Sequence, residues 1–504
     1  MPATGRLSPV TIEYLIHQAQ ERPQAIALIE GDREIRYSEF TRDLWKFTRA
    51  VQAFKVPRGG SVAIGCDDFY THWLLILAFE RLGIATSSFD SNEVHGARVL
   101  LGSVDLVLAE PHFPMGGWAT RAITADWVQA VLARPDDGPA PAAPKHPDDV
   151  IRIVRTSGTT GLPKRFPLLR RMSEARKGRY LWLYRGWPAE TRALVTFSLS
   201  VGLTYTTAMT ALRWGQTLVV ARDLAMAELP ALIQRHRIGR LALLPVQLKQ
   251  VLDHLPPGWT KPDQLEVSSY GAPVAEVLRR AALGSLASLI TEIYASNEFG
   301  IVSVTRQPDS GGFGMICPDV EVEIVDGQDR PVPDGTIGHI RARSESAFRG
   351  YLGDPTLSRR MLRQGWFYSG DVGVLDGRRL QLVGRSDDQV NLGGVKHPLT
   401  RLEAVVQSSG GAEVKDVGII PIANAAGIAE IHVGVVTDGS NDRAVLDRII
   451  AALRVMVPGD YHLVRLPQIP RNEMGKIDRA LLKQALLEPD GFVPKPESGS
   501  KHMM

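Results

Sequence analysis

The stretch that decides the reading is Thr156-Ser157-Gly158-Thr159-Thr160-Gly161-Leu162-Pro163-Lys164. Small hydroxyl residues surround two glycines, and a proline then presents a lysine. The preceding run Val150-Ile151-Arg152-Ile153-Val154 reads as a strand. A loop of this composition leaving a strand can turn several backbone N–H groups toward a polyphosphate, because glycine lets the backbone approach closely. The hydroxyls add hydrogen bonds and Lys164 adds a positive charge. It is not a Walker loop, which needs Gly directly before the Lys and Ser or Thr after it; here Pro163 precedes Lys164 and Arg165 follows.

The loop resembles that of the adenylate-forming superfamily, which includes acyl- and aryl-CoA synthetases, luciferases and peptide-synthetase adenylation domains. Five further stretches match that superfamily in its own order. Gly271-Ala272-Pro273 resembles a stretch whose backbone lines the adenine and acyl pockets. Tyr294-Ala295-Ser296-Asn297-Glu298 resembles Tyr-Gly-x-Thr-Glu, with Ala295 and Asn297 as departures. Gly365-Trp366-Phe367-Tyr368-Ser369-Gly370-Asp371 resembles Gly-Trp-x-x-Thr-Gly-Asp. Gly384-Arg385-Ser386-Asp387 resembles the hinge, and Gly393-Gly394 follows it. Pro470 to Arg479 resembles Pro-x-x-x-x-Gly-Lys-x-x-Arg, with Lys476 as its lysine.

The resemblance implies a role for each position. Thr156, Ser157, Gly158, Thr159, Thr160, Gly161 and Lys164 would bind the ATP phosphates, and Glu298 would hold Mg²⁺, a hard cation suited to oxygen ligands. Gly271, Ala272, Pro273, Tyr294, Asn297, Asp371 and Arg385 would surround adenine and ribose, Tyr294 by stacking. Lys476 and Glu298 would be catalytic, Asp387 the hinge, and Gly393 and Gly394 the passage for a thiol acceptor. Ser198 stands where amino-acid-activating relatives carry the Asp that binds an α-ammonium group, so an acid without one is expected. Ala295 in place of Gly narrows the acyl pocket toward a short, planar or aromatic acid.

The implied fold is α/β. A large N-terminal domain of helix-flanked β-sheets with a small β-barrel-like module (1–385) precedes a small mobile α+β domain (386–490) and a disordered tail (491–504). The implied activity is ATP-dependent conversion of a carboxylic acid to acyl-AMP, followed by transfer to CoA. One alternative is a stand-alone enzyme loading an acyl carrier protein's phosphopantetheine in trans, since the chain ends soon after Lys476. Another is a non-catalytic adenylate-binding protein, against which the joint retention of Lys164, Glu298, Asp371 and Lys476 counts.

Composition narrows the class independently. A chain of 504 residues exceeds one ordinary core. Its net charge of +3, with both signs interspersed, lacks the basic stripe expected for nucleic acid. No apolar run reaches the roughly 18–20 residues that cross a bilayer, and no signal-peptide apolar region opens the chain. Two cysteines make no disulfide framework, so a cytoplasmic setting is expected. The histidines form no His-x-x-x-His pair and there is no Cys-x-x-Cys, so no zinc site is expected. A Gly-x-Ser-x-Gly elbow, the mark of a serine hydrolase, is missing too.

At the level of elements, Thr11–Gln20 reads as an amphipathic helix. Ile26–Ile29 and Ile35–Tyr37 read as strands around Gly31-Asp32, with Ser38 capping the helix that follows. Short strands from about residue 313 suggest the small β module.

Overall fold

A computed structural model describes residues 11–487, apart from 92–97, 116, 119, 157–163, 185–186, 223, 272–273, 275, 307–310, 386–388, 393–394, 424–428, 440–441, 457–460 and 472–476. Several expected site residues lie outside the described residues: Ser157, Gly158, Thr159, Thr160, Gly161, Ala272, Pro273, Asp387, Gly393, Gly394 and Lys476.

The largest sheet joins two halves of opposite character. In one, Ile26–Glu30, Thr217–Val220, Arg192–Val195, Ile238–Leu243, Glu266–Ser269 and Leu289–Ser296 run parallel in that order. These strands alternate along the chain with helices such as Gly202–Trp214 and Glu276–Ser285, as a parallel sheet requires. From Leu289–Ser296 onward the ladder becomes antiparallel, through Gly300–Thr305, Phe313–Ile316, Arg379–Arg385, Trp366–Asp376, Gly338–Arg343 and Glu321–Val325. The β-rich module expected from about residue 313 is this antiparallel wing, continuous with the parallel half.

A second sheet carries the decisive loop. Its order is Arg121–Ala122, Leu106–Ala109, Ser61–Gly65, Ala85–Ser88, Val150–Thr156 and Lys164–Leu169, parallel except for the last pair. Helix Phe69–Arg81 touches Ile26–Glu30 of the large sheet and Ala85–Ser88 of this one. It is buried along almost its whole length, as an all-round apolar helix must be. Asp68 Oδ1 accepts from Thr71 N at 2.8 Å, and the Glu30 carboxylate accepts from Phe69 N and Tyr70 N at 2.9 and 3.2 Å. Phe40 packs edge-on against Tyr70 and Trp73 of this helix.

The C-terminal unit has its own three-stranded sheet, in the order Val414–Ala423, Ala429–Thr437, Tyr461–Arg465, with helices Leu399–Gly410, Asp442–Met456 and Arg479–Leu487. Its apolar cores are separate from those of the large sheet. Thr400 Oγ1 donates to Val383 O at 3.1 Å, where the unit meets the large sheet's last strand.

Two local expectations are corrected. The second helix starts at Tyr37 with Arg36 in the cap position and no side-chain cap, so Ser38 lies inside its first turn. Its leading N–H groups are satisfied by backbone instead, Tyr37 N donating to Ala25 O and Ser38 N to Pro23 O. Ser288 to Ile293 reads in the sequence as a strand that ends before Tyr294, but Tyr294-Ala295-Ser296 is the end of that strand, because pairing with Gly300–Thr305 prolongs it.

Beneath the decisive hairpin lies a fully bonded buried chain. Arg152 donates to Ser88 Oγ at 3.0 Å, Ser88 Oγ lies 2.8 Å from His72 Nε2, and His72 Nδ1 lies 3.0 Å from Cys66 O. Because a carbonyl only accepts, Nδ1 carries the proton and Nε2 accepts from Ser88. Loss of hydration, then the Arg152 charge, lowers the His72 pKa to about 3 from an ordinary 6.5. The unfolded chain therefore binds one proton more than the native state between those two values. Stability is expected to fall as pH drops from about 6.5 toward 3, by about 1 kcal/mol per pH unit from this group. Thermal midpoints measured across that range should show a shallower acid slope in His72→Gln, and an unchanged slope would remove His72 as the cause.

Candidate active site

Among the described residues, several positions singled out in the sequence lie at the carboxyl ends of parallel strands, where ligands of open α/β sheets are held. Thr156 ends Val150–Thr156, Ser198 follows Arg192–Val195, Gly271 follows Glu266–Ser269, and Tyr294 to Glu298 close Leu289–Ser296.

Val150–Thr156 and Lys164–Leu169 form an antiparallel hairpin in which buried Thr156 pairs with Lys164. The register fixes both ends of the Ser/Thr/Gly loop. Leu352 N donates to Arg165 O at 2.7 Å, tying the hairpin to the segment that carries Tyr351. The Lys164 ammonium lies 5.7 Å from the centre of the Tyr351 ring, and the Tyr351 hydroxyl donates to Glu298 Oε1 at 2.7 Å. Lys164 and Glu298, 134 residues apart in sequence, thus meet through one aromatic side chain. Burial and the Glu298 charge push the Tyr351 hydroxyl far above its ordinary pKa, so it remains a donor.

Asn297, Glu298 and Phe299 form the turn between Leu289–Ser296 and Gly300–Thr305, and two arginines of helix Arg170–Leu183 hold it. Arg176 donates to the carbonyls of Asn297, Glu298 and Ser346 at 2.9, 2.8 and 3.0 Å. Desolvation, then the neighbouring Arg179, lowers its pKa to about 9. Arg179 is buried; it forks onto the Asp319 carboxylate and also donates to Phe299 O, Ile301 O, Ser344 Oγ and Ser346 Oγ. Gly300 sits at φ +82°, and a Cβ there would lie 3.1 Å from Arg176 Cγ, so turn and clamp fit only with glycine. The sequence reading missed both arginines, because a basic helix gives no sign of which charges are buried.

Tyr294 and Asp371 meet across the junction between the two halves of the sheet. The Tyr294 hydroxyl donates to Asp371 Oδ2 at 2.5 Å and lies 3.0 Å from Ser369 Oγ. Desolvation and then the Asp371 charge raise its pKa well above the ordinary value. Asp371 pairs in register with Arg385, whose guanidinium lies 3.4 Å from Asp371 Oδ1. Ser369 Oγ accepts from Asp371 N at 3.1 Å.

Beyond the carboxyl end of Arg192–Val195, buried Ser198 shares the carboxylate of Asp90 with Ser200, their hydroxyls donating to Asp90 Oδ2 at 2.7 and 2.5 Å. Arg222 lies 3.9 Å from the other carboxylate oxygen. Helix Gly202–Trp214 starts against Asn297: a Cβ on Gly202 would lie 2.8 Å from Asn297 Oδ1. Gly271 adopts φ +87°, a turn conformation suited to glycine, and Val274 N just beyond it donates to Glu292 Oε2 at 3.1 Å. Ala295 is exposed.

Glu298 is a hard oxygen donor beside the hairpin end. Its Oε2 takes no hydrogen bond among the described residues. One carboxylate with room for water and phosphate oxygens fits how Mg²⁺ is held at nucleotide sites.

The AMP-binding enzyme family profile matches residues 15–352. The chain belongs to that family. It is similar over its length to a fatty acid–[acyl-carrier-protein] ligase, MmaC, of Mycobacterium marinum, with 24% identity over 95% of this chain and 98% of that one. It is also similar to 4-coumarate–CoA ligase 3 of Oryza sativa subsp. japonica, with 26% identity over 94% of this chain and 92% of that one. Its fold matches ATP-bound MatB of Rhodopseudomonas palustris at TM-score 0.83 and 19% identity, covering 94% of this chain and 98% of that one. The chain is an AMP-forming acid–thiol ligase. Among the described residues no helix is long and apolar enough to cross a membrane.

If the Tyr294–Asp371 bond shapes the nucleotide site, Tyr294→Phe should weaken ATP binding about tenfold by calorimetry, the worth of one hydrogen bond to a charged group. Unchanged affinity in a folded variant would place this bond outside the site.

Proposed function

We propose that this enzyme converts a short, planar or aromatic carboxylic acid to its acyl-adenylate and passes the acyl group to CoA. The contact of Lys164 and Glu298 through Tyr351 is the observation that carries the reading. A cation and a carboxylate brought to one ring beside the end of the Thr156/Lys164 hairpin support a site for phosphate and its metal there.

A carboxylate resists attack because its leaving group would be oxide. Its oxygen attacks the α-phosphorus of ATP, that bond forms, and the bond to the bridging oxygen breaks with release of pyrophosphate. Catalysis of such a transfer is mostly positioning and neutralisation of charge. Residues 156–164 would hold the β- and γ-phosphates, Glu298 would hold Mg²⁺, which would neutralise phosphate charge, and Asp371 would accept from the ribose hydroxyls beside Arg385. Gly271, Ala272 and Pro273 line the adenine and acyl pockets, and Tyr294 and Asn297 border the nucleotide. Lys476 bridges the attacking carboxylate and the nucleotide. In the second step a thiolate attacks the acyl carbon and AMP departs. The C-terminal unit turns about Asp387 between the steps, and the thiol arm passes Gly393 and Gly394.

Two observations support the acid class. Asn297 abuts the start of helix Gly202–Trp214, consistent with a shortened pocket together with Ala295. Ser198 is hydrogen-bonded to Asp90, and the Arg222 guanidinium 3.9 Å from the other Asp90 oxygen already matches that charge, which supports an acid without an α-ammonium group. A second reading, transfer to a carrier protein's phosphopantetheine, is favoured by the similarity to MmaC.

ATP–pyrophosphate exchange across a panel of acids, followed by mass analysis after adding CoA, tests the reading. Exchange with benzoate-type acids and formation of their CoA thioesters is expected. Exchange with long-chain acids alone would overturn the acid class, and an adenylate that CoA leaves untouched would move the acceptor to a carrier protein. Lys476→Ala and Glu298→Gln should each lose roughly 10²–10³ in exchange rate. A Lys476→Ala enzyme at full rate would remove that lysine from the adenylation step.

A further inference from the structure

No metal-binding spacing is visible along the sequence, yet the C-terminal sheet builds a donor set from two strands. Ala429–Thr437 and Tyr461–Arg465 run parallel, and His432 pairs in register with His462. Glu430 precedes His432 by two residues, so it projects from the same face of the sheet. The imidazoles stack with centroids 4.5 Å apart and planes 21° apart, and His462 Nε2 lies 2.8 Å from Glu430 Oε2. One ligand atom from each of Glu430, His432 and His462 lies within 4.8 Å of the others. Val436 and Val464, farther along the same face, pack under helix Arg479–Leu487. His462 is about half exposed, so a cation can reach the group from solvent.

We propose that Glu430, His432 and His462 bind a divalent transition metal of the Zn²⁺ class, with water completing the coordination. Two imidazole nitrogens and a carboxylate oxygen suit Zn²⁺ and its neighbours and are poorly matched to Mg²⁺, which prefers oxygen donors and keeps its water. In-register positions on adjacent strands lie about 5 Å apart, so modest side-chain rotations bring both nitrogens to the roughly 2 Å Zn–N distance. Among the described residues, Tyr461–Arg465 is the edge strand of its sheet, joined only to Ala429–Thr437. The metal would staple this edge to its neighbour, far along the chain from the nucleotide-binding hairpin. A second group, Asp67, Glu110 and His112, has similar spacing, but the Arg222 guanidinium stands 3.3 Å from Asp67 Oδ1 and occupies the place of a cation.

The test is a Zn²⁺ titration of chelator-stripped full-length protein in excess Mg²⁺, read by competition with a chromophoric chelator and by thermal midpoint. One Zn²⁺ per chain is expected, with affinity at least about tenfold lower in His432→Ala and in His462→Ala and unchanged in His112→Ala. Zn²⁺ should raise the midpoint of the wild type and leave that of His462→Ala unmoved. Equal affinity in wild type and His462→Ala, or a loss confined to His112→Ala, would overturn the assignment. ATP–pyrophosphate exchange by the His462→Ala protein, whose substitution is on the surface, serves as the check that it is folded.

Discussion

The hydrogen bond from the Tyr351 hydroxyl to Glu298 Oε1 is the side-chain link between two parts of the chain that the backbone bonds Leu352 N to Arg165 O and Phe348 N to Glu298 O already hold together. On one side is the hairpin whose register fixes Thr156 opposite Lys164. On the other is the turn 297–299, at the point where the large sheet changes from parallel to antiparallel. The ring of Tyr351 carries the Lys164 ammonium on its face and the Glu298 carboxylate at its hydroxyl. A cation favours the negative face of an aromatic ring, and a carboxylate favours its O–H donor. One side chain therefore keeps opposite charges near each other without letting them collapse into a direct ion pair.

That arrangement depends on two arginines, Arg176 partly buried and Arg179 fully buried. Arg176 and Arg179 spend their donors chiefly on backbone carbonyls around the turn and on Ser344, Ser346 and Asp319. Burying a guanidinium is costly unless its donors are satisfied, and here several carbonyls that the turn leaves without ladder partners satisfy them. The cost of the charge and the need of the turn thus offset each other. The Tyr294–Asp371 bond does similar work at the other edge of the site, tying the parallel half to the antiparallel wing.

Much of this was legible in the chain. The Thr156–Lys164 stretch marked a loop leaving a strand because glycines and small hydroxyl residues fill it, and the short strands read from about residue 313 form part of the antiparallel wing. The tertiary partners were hidden. Tyr294 and Asp371 are 77 residues apart, and no local pattern says that one donates to the other. Arg152, Arg176 and Arg179 read as solvated charges, since sequence records charge and not burial. Asp90 is invisible as the partner of Ser198 because the two lie on loops of different sheets. His432 and His462 escaped a search for metal spacing because their adjacency arises from strand register. Ser38 misled because the backbone of Pro23 and Ala25 already filled the cap role assigned to it.

The most direct measurement is ATP binding by calorimetry, with and without Mg²⁺, in wild-type protein and in Tyr351→Phe. The ring and its contact with Lys164 survive that change; only the donor to Glu298 is lost. If Glu298 is the metal ligand and this bond orients it, the gain in ATP affinity that Mg²⁺ gives should shrink about tenfold in Tyr351→Phe, while metal-free affinity stays near that of the wild type. An unchanged Mg²⁺-dependent gain would contradict the central role given to this hydrogen bond.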